Sequence, residues 1–300
     1  MVRRWWGKPQ LSVVVVAFNM RREIVRTLHT LGTSYQHGVR AADYEVILVD
    51  NGSTPELDSA ELAQRFQGRL RTLRLPPGTV SPVDAVNAGV ALARADRIAV
   101  MVDGARMLSP GMLRGMLQAF QVYPDAFVST LGWHLGEQPQ NLSMLSGYNQ
   151  QVEDQLLASF DWEQDGYQLF NHACLALSCQ EGWFSSIAES NCFALPKRWF
   201  QRLGGFDCRF VSPGGGLVNL DFFSLAVAAE GLTAVLLLGE GSFHQFHGGV
   251  ATNVPKAEHP WERFHAEYQA IRGKPYARPA FDPVYFGRLS AQARRFLPGP

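Results

Sequence analysis

The segment Tyr44–Ser53 reads YEVILVDNGS, an apolar run that ends in a polar turn. Its β-branched and aliphatic residues are typical of a strand that is buried on both faces of a sheet. The four residues Asp50–Ser53 are of the types that favour a tight turn. The segment therefore predicts a central strand that delivers a carboxylate and an amide to the end of a sheet.

Strand and helix signals alternate on both sides of this segment, which predicts a parallel sheet with right-handed crossovers. Past about residue 125 the alternation breaks down, and organised structure returns near Ser190. The later elements predicted are a helix near Asn219–Glu230, a strand at Thr233–Leu238 and a helix at Pro260–Arg272. The earlier ones are strands Ser12–Phe18, Leu70–Leu75 and Arg97–Val102, and helices Arg21–Leu31, Leu57–Phe66 and Pro82–Ala93.

Polar residues follow three of the predicted strands at the point where each strand ends. The segment Phe18–Arg21 follows the first strand, Asp50–Ser53 the second, and Asp103–Arg106 the fourth. Ligands of parallel α/β sheets bind beyond the carboxyl ends of the strands. The sequence therefore predicts a polar binding site at this edge.

The charge balance excludes one class of partner. The 300 residues contain 27 Lys and Arg against 27 Asp and Glu, whereas a nucleic-acid partner requires a basic surface. No apolar run reaches the ~20 residues of a membrane-spanning helix. The basic N-terminus, Met1–Pro9, lacks the apolar region of a signal peptide. We therefore expect a cytoplasmic protein, with peripheral contact to a membrane left open and no oligomeric state implied.

Five segments together resemble the family 2 glycosyltransferases, which have the GT-A fold and use nucleotide sugars. The strand Ser12–Asn19 and the segment Glu45–Ser53 are two of them, and the apolar strand ending in Asp-Asn-Gly-Ser is the most recognisable. The others are Asn87–Ala93, Asn191–Leu195 followed by Leu203–Asp207, and Phe243–Gln245.

The resemblance implies an α/β GT-A fold with a Rossmann-like, mostly parallel sheet flanked by helices. Residues 1–125 would form the nucleotide-sugar binding half, and residues 126–250 the acceptor-binding and catalytic half of the same domain. Residues 251–300 would be a C-terminal extension rich in proline and aromatic residues.

The resemblance also implies a donor site. Asp50 would hydrogen-bond the nucleotide base, although an Asp in this position also suits a cap on its own turn. Asp103 would lie beside the ribose and diphosphate. The other residues assigned to the nucleotide sugar are Ala17, Phe18, Asn19, Asn51, Asn87, Gly104 and Arg106.

One departure from the family pattern concerns the metal. Family members place Asp-x-Asp or Asp-Asp after the fourth strand, whereas Ala105 stands here where a second carboxylate is expected. The resemblance implies that Asp103 holds Mn²⁺ or Mg²⁺ with His244 or His247. Arg106 either replaces the missing charge near the diphosphate or is a solvated surface residue.

The resemblance implies that Asp221 is the general base, because family members carry Glu-Asp at the start of this helix. The preceding Glu is replaced by Leu220. An acceptor hydroxyl is a poor nucleophile and needs a base within hydrogen-bond reach. An Asp at a helix start also stabilises the helix dipole without any catalytic role.

The function implied is transfer of a sugar from a nucleoside diphosphate donor, UDP-linked, to a saccharide or another hydroxyl-bearing acceptor, with inversion in a single displacement. One alternative is a non-catalytic or degenerate nucleotide-sugar-binding protein, because the Asp-x-Asp motif is incomplete. A sugar nucleotidyltransferase is a weaker alternative, since it would carry a Gly-rich basic loop where Phe18–Arg21 stands.

Overall fold

The computed structural model describes residues 7–255 and 258–298. Residues 1–6, which hold most of the basic N-terminus, lie outside the described residues. Helices pack on both faces of one mixed sheet, in the order β10-β9-β6-β8-β4-β1-β2-β3, with β5 paired to β9 and β7 paired to β6. The strands are β1 (Leu11–Ala17), β2 (Tyr44–Asp50), β3 (Leu70–Arg74), β4 (Arg97–Met101), β5 (Arg106–Leu108), β6 (Ala126–Leu135), β7 (Ala173–Leu175), β8 (Cys192–Pro196), β9 (Thr233–His244) and β10 (Val284–Gly287).

The helices agree closely with the predicted ones in the first hundred residues and near the C-terminus. They are α1 (Arg21–Leu31), α2 (Ser59–Arg65), α3 (Val83–Leu92), α4 (Met112–Val122), α5 (Gln140–Ser143), α6 (Gln150–Ala158), α7 (Lys197–Arg202), α8 (Val218–Val227) and α9 (Trp261–Arg272). Within the described ranges, no helix combines the length and the apolar character needed to cross a bilayer.

The predicted parallel arrangement of the first strands is confirmed. β1 lies between β2 and β4 and is parallel to both, with Ala17 opposite Asp50 and Val15 opposite Met101. The carboxyl ends of these three strands therefore meet at one edge.

Both faces of β1 are buried, which explains its continuous apolar sequence. Val13 and Val15 pack in the apolar cluster formed with α1 and α4, while Val14 and Val16 pack in the cluster formed with α3 and α8. Alternate side chains of a strand point to opposite faces, so a strand covered on both sides has no polar face. Gly89 of α3 permits this packing, because a Cβ there would lie 2.4 Å from a methyl group of Val14.

The expectation that regular structure lapses after residue 125 is wrong. The ten-residue strand β6 begins at Ala126, is buried throughout, and pairs in parallel with β9 and antiparallel with β8. Its sequence includes Ser129, Thr130 and His134, so neither alternation nor an unbroken apolar run identified it. The tryptophans of this region, Trp133, Trp162 and Trp183, are core residues.

The direction of β8 determines which chain segments reach the polar edge. β8 is antiparallel to both β4 and β6, so β4, β6 and β9 run in the same direction. The residues that precede β8 therefore lie at the same edge as the residues that follow β4 and end β9. The C-terminal segment also joins the sheet, since β10 pairs with β9.

Candidate active site

Three side chains from two distant parts of the sequence converge at this edge. Asp103 follows β4, His244 is the last residue of β9, and His247 lies three residues further on. One ligand atom from each of the three lies within 4.8 Å of the others, and we call them the edge cluster. The backbone fixes this meeting, because Arg106 pairs with His244 across β5 and β9, and Gln245 N donates to Ala105 O at 2.8 Å.

The edge cluster is closely spaced, with His244 buried and Asp103 and His247 half-buried. Asp103 Oδ2 lies 2.9 Å from His244 Nε2 and 3.6 Å from His247 Nε2, and the two Nε2 atoms are 3.2 Å apart. Burial lowers the pKa of His244 to about 4, so its imidazole is neutral near pH 7. Burial also opposes a charge on His247, but the negative charge of Asp103 outweighs it and raises the His247 pKa.

A chain of amides fixes the tautomer of His244. Asn253 Oδ1 accepts hydrogen bonds from the backbone N–H groups of residues 247, 248 and 249, at 2.9–3.1 Å, so its Nδ2 must face the other way. That Nδ2 donates to Gln140 Oε1 at 2.9 Å. The same Oε1 lies 2.8 Å from His244 Nδ1, which must therefore carry the hydrogen. The lone pair of His244 is left on Nε2, facing Asp103.

This donor set fits a cation. A neutral imidazole nitrogen and a carboxylate oxygen 2.9 Å apart both present lone pairs, and they repel unless a proton or a metal ion lies between them. A ligating histidine whose other nitrogen donates to an amide oxygen is a common second-shell arrangement at metal sites. The residues of the edge cluster therefore have the chemistry of a divalent metal site, completed by oxygen atoms from a phosphate.

Salt-bridged residues clamp the loop between the two histidines. Glu153 of α6 is fully buried and accepts a hydrogen bond from Phe246 N at 2.7 Å. Arg22 of α1 contacts the same glutamate at 3.2 Å and donates to Phe246 O at 3.3 Å. These contacts hold the backbone of His247 in place without contacting its imidazole ring.

Arg106 is buried, so the alternative that it is a solvated surface residue is wrong. It is 4% exposed, and its Nε lies 3.9 Å from Asp103 Oδ2. Within the described residues, neither Nε nor Nη1 has a hydrogen-bond partner. A buried guanidinium with unused donors is costly unless an anion or ordered water completes it. This observation points to an anionic ligand beside the edge cluster.

Gly104 lies where the chain turns after β4. A Cβ at this position would be 2.5 Å from Val16 O, so only glycine lets the turn approach β1 this closely. Its carbonyl accepts a hydrogen bond from Thr27 Oγ1 at 2.6 Å. Asp103 Oδ1 accepts a hydrogen bond from Ala105 N at 2.9 Å, which leaves Oδ2 for the histidines.

The proposed nucleotide residues at the ends of β1 and β2 lie side by side. Ala17 O accepts a hydrogen bond from Asn51 N at 2.8 Å. Asn19 is exposed, has a positive φ of 54° and donates from its backbone to Ser53 Oγ, while Phe18 is half-buried. Asp50 accepts a hydrogen bond from Ser53 N at 2.8 Å, so it caps its own turn.

Asn51 and Asn87 have local partners. Asn51 Nδ2 donates to Ser81 O at 3.0 Å. Asn87 Nδ2 donates to Phe206 O at 2.8 Å, and its Oδ1 accepts from Phe206 N at 3.0 Å. The side chain of Asn87 therefore ties α3 to the segment before α8, and its contacts give no sign of a donor pocket.

Asp221 is in a different environment from the edge cluster. It is 3% exposed, and both carboxylate oxygens accept hydrogen bonds from the guanidinium of Arg272, at 2.7 and 2.5 Å. Arg272 also contacts Asp207 Oδ2 at 3.0 Å, and we call these three residues the ion-pair cluster. A base role for Asp221 stays a prediction, and it would require this fork of hydrogen bonds to open.

Sequence reasoning missed the residues that support the edge cluster, namely Gln140, Glu153 and Asn253. Gln140 and Glu153 lie where the pattern is weak, and no sequence signal identifies them. Asn253 follows a Gly pair in a loop, and Asn in loops commonly accepts hydrogen bonds from nearby backbone N–H groups. That signal indicates a turn without indicating what the turn supports.

The mostly parallel α/β sheet flanked by helices agrees with the GT-A fold that the family resemblance implied. The family model for "Glycosyl transferase family 2" matches residues 12–164. The chain belongs to this family of glycosyltransferases, which confirms the family resemblance. Three of the five segments lie within the matched residues.

A named relative agrees with this assignment. The chain is 26% identical over 225 residues to a validoxylamine A glucosyltransferase of Streptomyces hygroscopicus subsp. jinggangensis, covering 71% of this chain and 51% of the relative. The chain thus spans about half the length of that curated relative.

Solved structures of S. aureus TarS share the fold. One has a TM-score of 0.52 at 11% identity, covering 80% of this chain and 37% of that chain. Another, TarS 1-349 in complex with UDP, has a TM-score of 0.50 at 13% identity, covering 75% of this chain and 57% of that chain.

Proposed function

We propose that this chain transfers a sugar from a UDP-linked donor to a hydroxyl acceptor with inversion, and that Asp103, His244 and His247 hold a divalent metal ion. The edge cluster carries the proposal. Two ring nitrogens and a carboxylate oxygen, from two distant segments, converge there beside a buried arginine with unused donors. A relative that is a glucosyltransferase and a similar fold solved with UDP support the class of donor.

The bound metal would neutralise charge on the departing diphosphate. Among the candidates, two imidazoles and one carboxylate favour Mn²⁺ over Mg²⁺, because Mg²⁺ prefers ligand sets made wholly of oxygen. Arg106 supplies a fixed positive charge close to Asp103 and compensates for the absent second carboxylate ligand by binding the diphosphate directly. Ala17, Phe18, Asn19, Asp50 and Asn51 line the end of the sheet where the uridine would lie.

The acceptor is a saccharide or another molecule with a hydroxyl group, and a single displacement inverts the anomeric carbon. The proposal needs a carboxylate that takes the proton of that hydroxyl. The family resemblance implied Asp221, but Arg272 holds both oxygens of that carboxylate, which favours a different carboxylate as the base. A cytoplasmic location, as expected from the sequence, remains a prediction.

Calorimetry of UDP binding with and without Mn²⁺ tests the donor and the metal together. We expect UDP to bind at least tenfold more tightly with Mn²⁺ than with EDTA. Proton NMR of UDP-glucose hydrolysis tests the stereochemistry, and β-glucose as the first product indicates inversion. Metal-dependent UDP binding without turnover of any UDP-sugar would instead favour a non-catalytic nucleotide-sugar-binding protein.

A further inference from the structure

A second carboxylate, which no sequence pattern indicated, lies at the same edge of the sheet as Asp103. Glu189 precedes β8, and β8 is antiparallel to β4 with Cys192 opposite Met101. Val102 N donates to Asn191 O at 3.3 Å. The residues just before β8 therefore lie beside the residues just after β4, which include Asp103.

Asn219 of α8 holds Glu189 in place. Asn219 Nδ2 donates to Glu189 Oε2 at 2.9 Å and lies 3.3 Å from Asn191 Oδ1. Because both partners are acceptors, the amide nitrogen must face them and Oδ1 must face away. Asn219 is 7% exposed, and its Oδ1 is buried with no hydrogen-bond partner in the part of the chain that the structure describes.

An unused buried acceptor beside a half-buried carboxylate is suited to a ligand with several hydroxyl groups. Leaving a buried acceptor unpaired costs about 1–3 kcal/mol, which a donated hydrogen bond from the ligand would recover. Saccharides present neighbouring hydroxyls, so one can face Asn219 Oδ1 while another faces Glu189.

The geometry of α8 separates Asn219 from Asp221. Successive residues of an α-helix are rotated by about 100°, so residues two apart point to nearly opposite sides. Asn219 faces Glu189 and Asn191 at the polar edge. Asp221 accordingly faces away from them, towards Arg272 of α9, which binds both of its carboxylate oxygens.

We propose that Glu189 is the catalytic base of the sugar transfer proposed above, on which this inference rests, and that Asn219 positions it. The acceptor oxygen attacks the anomeric carbon of the donor, and the proton of that hydroxyl passes to the Glu189 carboxylate. The bond between the anomeric carbon and the diphosphate oxygen breaks. Its electron pair leaves with the nucleoside diphosphate, so atoms and charges balance.

The variant Glu189→Gln tests the assignment, because Gln keeps an oxygen that accepts from Asn219 but does not take up a proton. Its matched control is Glu181→Gln, an exposed glutamate of the same segment. The assay is UDP release to water, with Mn²⁺, from UDP-glucose, UDP-N-acetylglucosamine or UDP-galactose, whichever the wild type hydrolyses fastest. We expect Glu189→Gln to lose at least about 10²-fold in rate, with UDP affinity and thermal midpoint equal to those of the control.

Adding azide as a nucleophile shows whether Glu189 has a chemical role or a structural one. Azide is already an anion, so its attack on the anomeric carbon needs no base, and we expect it to restore glycosyl transfer in Glu189→Gln as glycosyl azide. Should Glu189→Gln fold poorly, Glu189→Ala is assayed in the same way. A folded Asp221→Asn variant should keep its rate within about threefold.

Two results would overturn the assignment while leaving the proposed function intact. One is a Glu189→Gln rate equal to that of Glu181→Gln. The other is a loss of turnover in folded Asp221→Asn with normal UDP affinity, which would make Asp221 the base. A wild-type chain that releases no UDP from any of these donors would overturn the proposed function itself, and this inference with it.

Discussion

The edge cluster contains a half-buried aspartate and the ion-pair cluster a buried one, and the two clusters balance this charge in different ways. In the ion-pair cluster, the guanidinium of Arg272 satisfies both oxygens of Asp221 and contacts Asp207. In the edge cluster, Asp103 faces two imidazoles, one of them neutral with its lone pair towards the carboxylate. The first cluster is complete within the chain, whereas the second is complete only when a cation is present.

The difference indicates which buried charges serve a ligand. A carboxylate paired with an arginine fork contributes to folding, and removing one partner leaves an uncompensated charge. A converging set of lone pairs next to a guanidinium with unused donors is unfavourable without a ligand, and the supporting amides hold this arrangement ready for binding. Residue type and position in the sequence do not distinguish Asp103 from Asp221, since both were predicted to be functional.

The largest expected effect comes from breaking the edge cluster. Asp103→Asn should reduce UDP release from a UDP-sugar by about 10³-fold, because the metal contributes several kcal/mol of transition-state stabilisation. Metal-dependent UDP binding should be lost in calorimetry. Asp96→Asn is the matched control, since Asp96 is exposed and lies beside the opposite end of β4. Equal UDP affinity with and without Mn²⁺ in both the wild type and the variant would contradict the prediction.

A smaller effect is expected when the three residues of the edge cluster are kept but a residue that orients one of them is changed. Gln140→Met removes the acceptor for His244 Nδ1, so the ring is free to adopt the other tautomer. Loss of such a second-shell contact typically costs about 10–100-fold in metal affinity. A Mn²⁺ titration followed by electron paramagnetic resonance measures this directly. Gln151→Met on α6, at an exposed position, should bind Mn²⁺ like the wild type.

In the ion-pair cluster the expected effect is on stability. Asp221→Leu should lower the free energy of unfolding by about 3 kcal/mol, because the half-buried Arg272 is left without its main partner. Arg272→Met should cost a similar amount, and the double variant much less than the sum, since neither charge is then uncompensated. Urea unfolding gives all three values. Strict additivity would show that the two side chains do not interact in solution.

The sequence was sufficient for the first hundred residues because β1, β2 and β4 are covered on both faces and α1 and α3 have clear helical spacing. It was insufficient for β6, whose burial depends on neighbours far along the chain. It was also insufficient for Glu189, because only the reversed direction of β8 brings the residues before that strand to the polar edge.

Within the site, too, some residues could be predicted from the sequence and others could not. Asp103, His244 and His247 were named from the family resemblance, and the structure brings them together. Gln140 and Asn253 were not named, because their contribution is a hydrogen bond to a residue more than a hundred positions away or to a neighbouring loop. Such contacts depend on the tertiary fold and leave no local periodicity.

The smallest expected effect concerns Asp207, and it depends on pH. Hydrogen bonds from Arg209, together with the charges of Arg209 and Arg272, hold the pKa of Asp207 well below its usual value. A carboxylate whose pKa is lower in the folded state contributes stability above its unfolded pKa, near 4, and loses that contribution as the pH falls towards the folded value. Asp207→Asn should therefore cost about 1 kcal/mol at pH 7, and the difference from wild type should shrink as the pH falls below 4.

Urea unfolding at pH 7 and pH 3 measures the difference, with Asp84→Asn on α3 as the exposed control. A difference that is equal at both pH values would mean that Asp207 contributes through packing rather than through its charge.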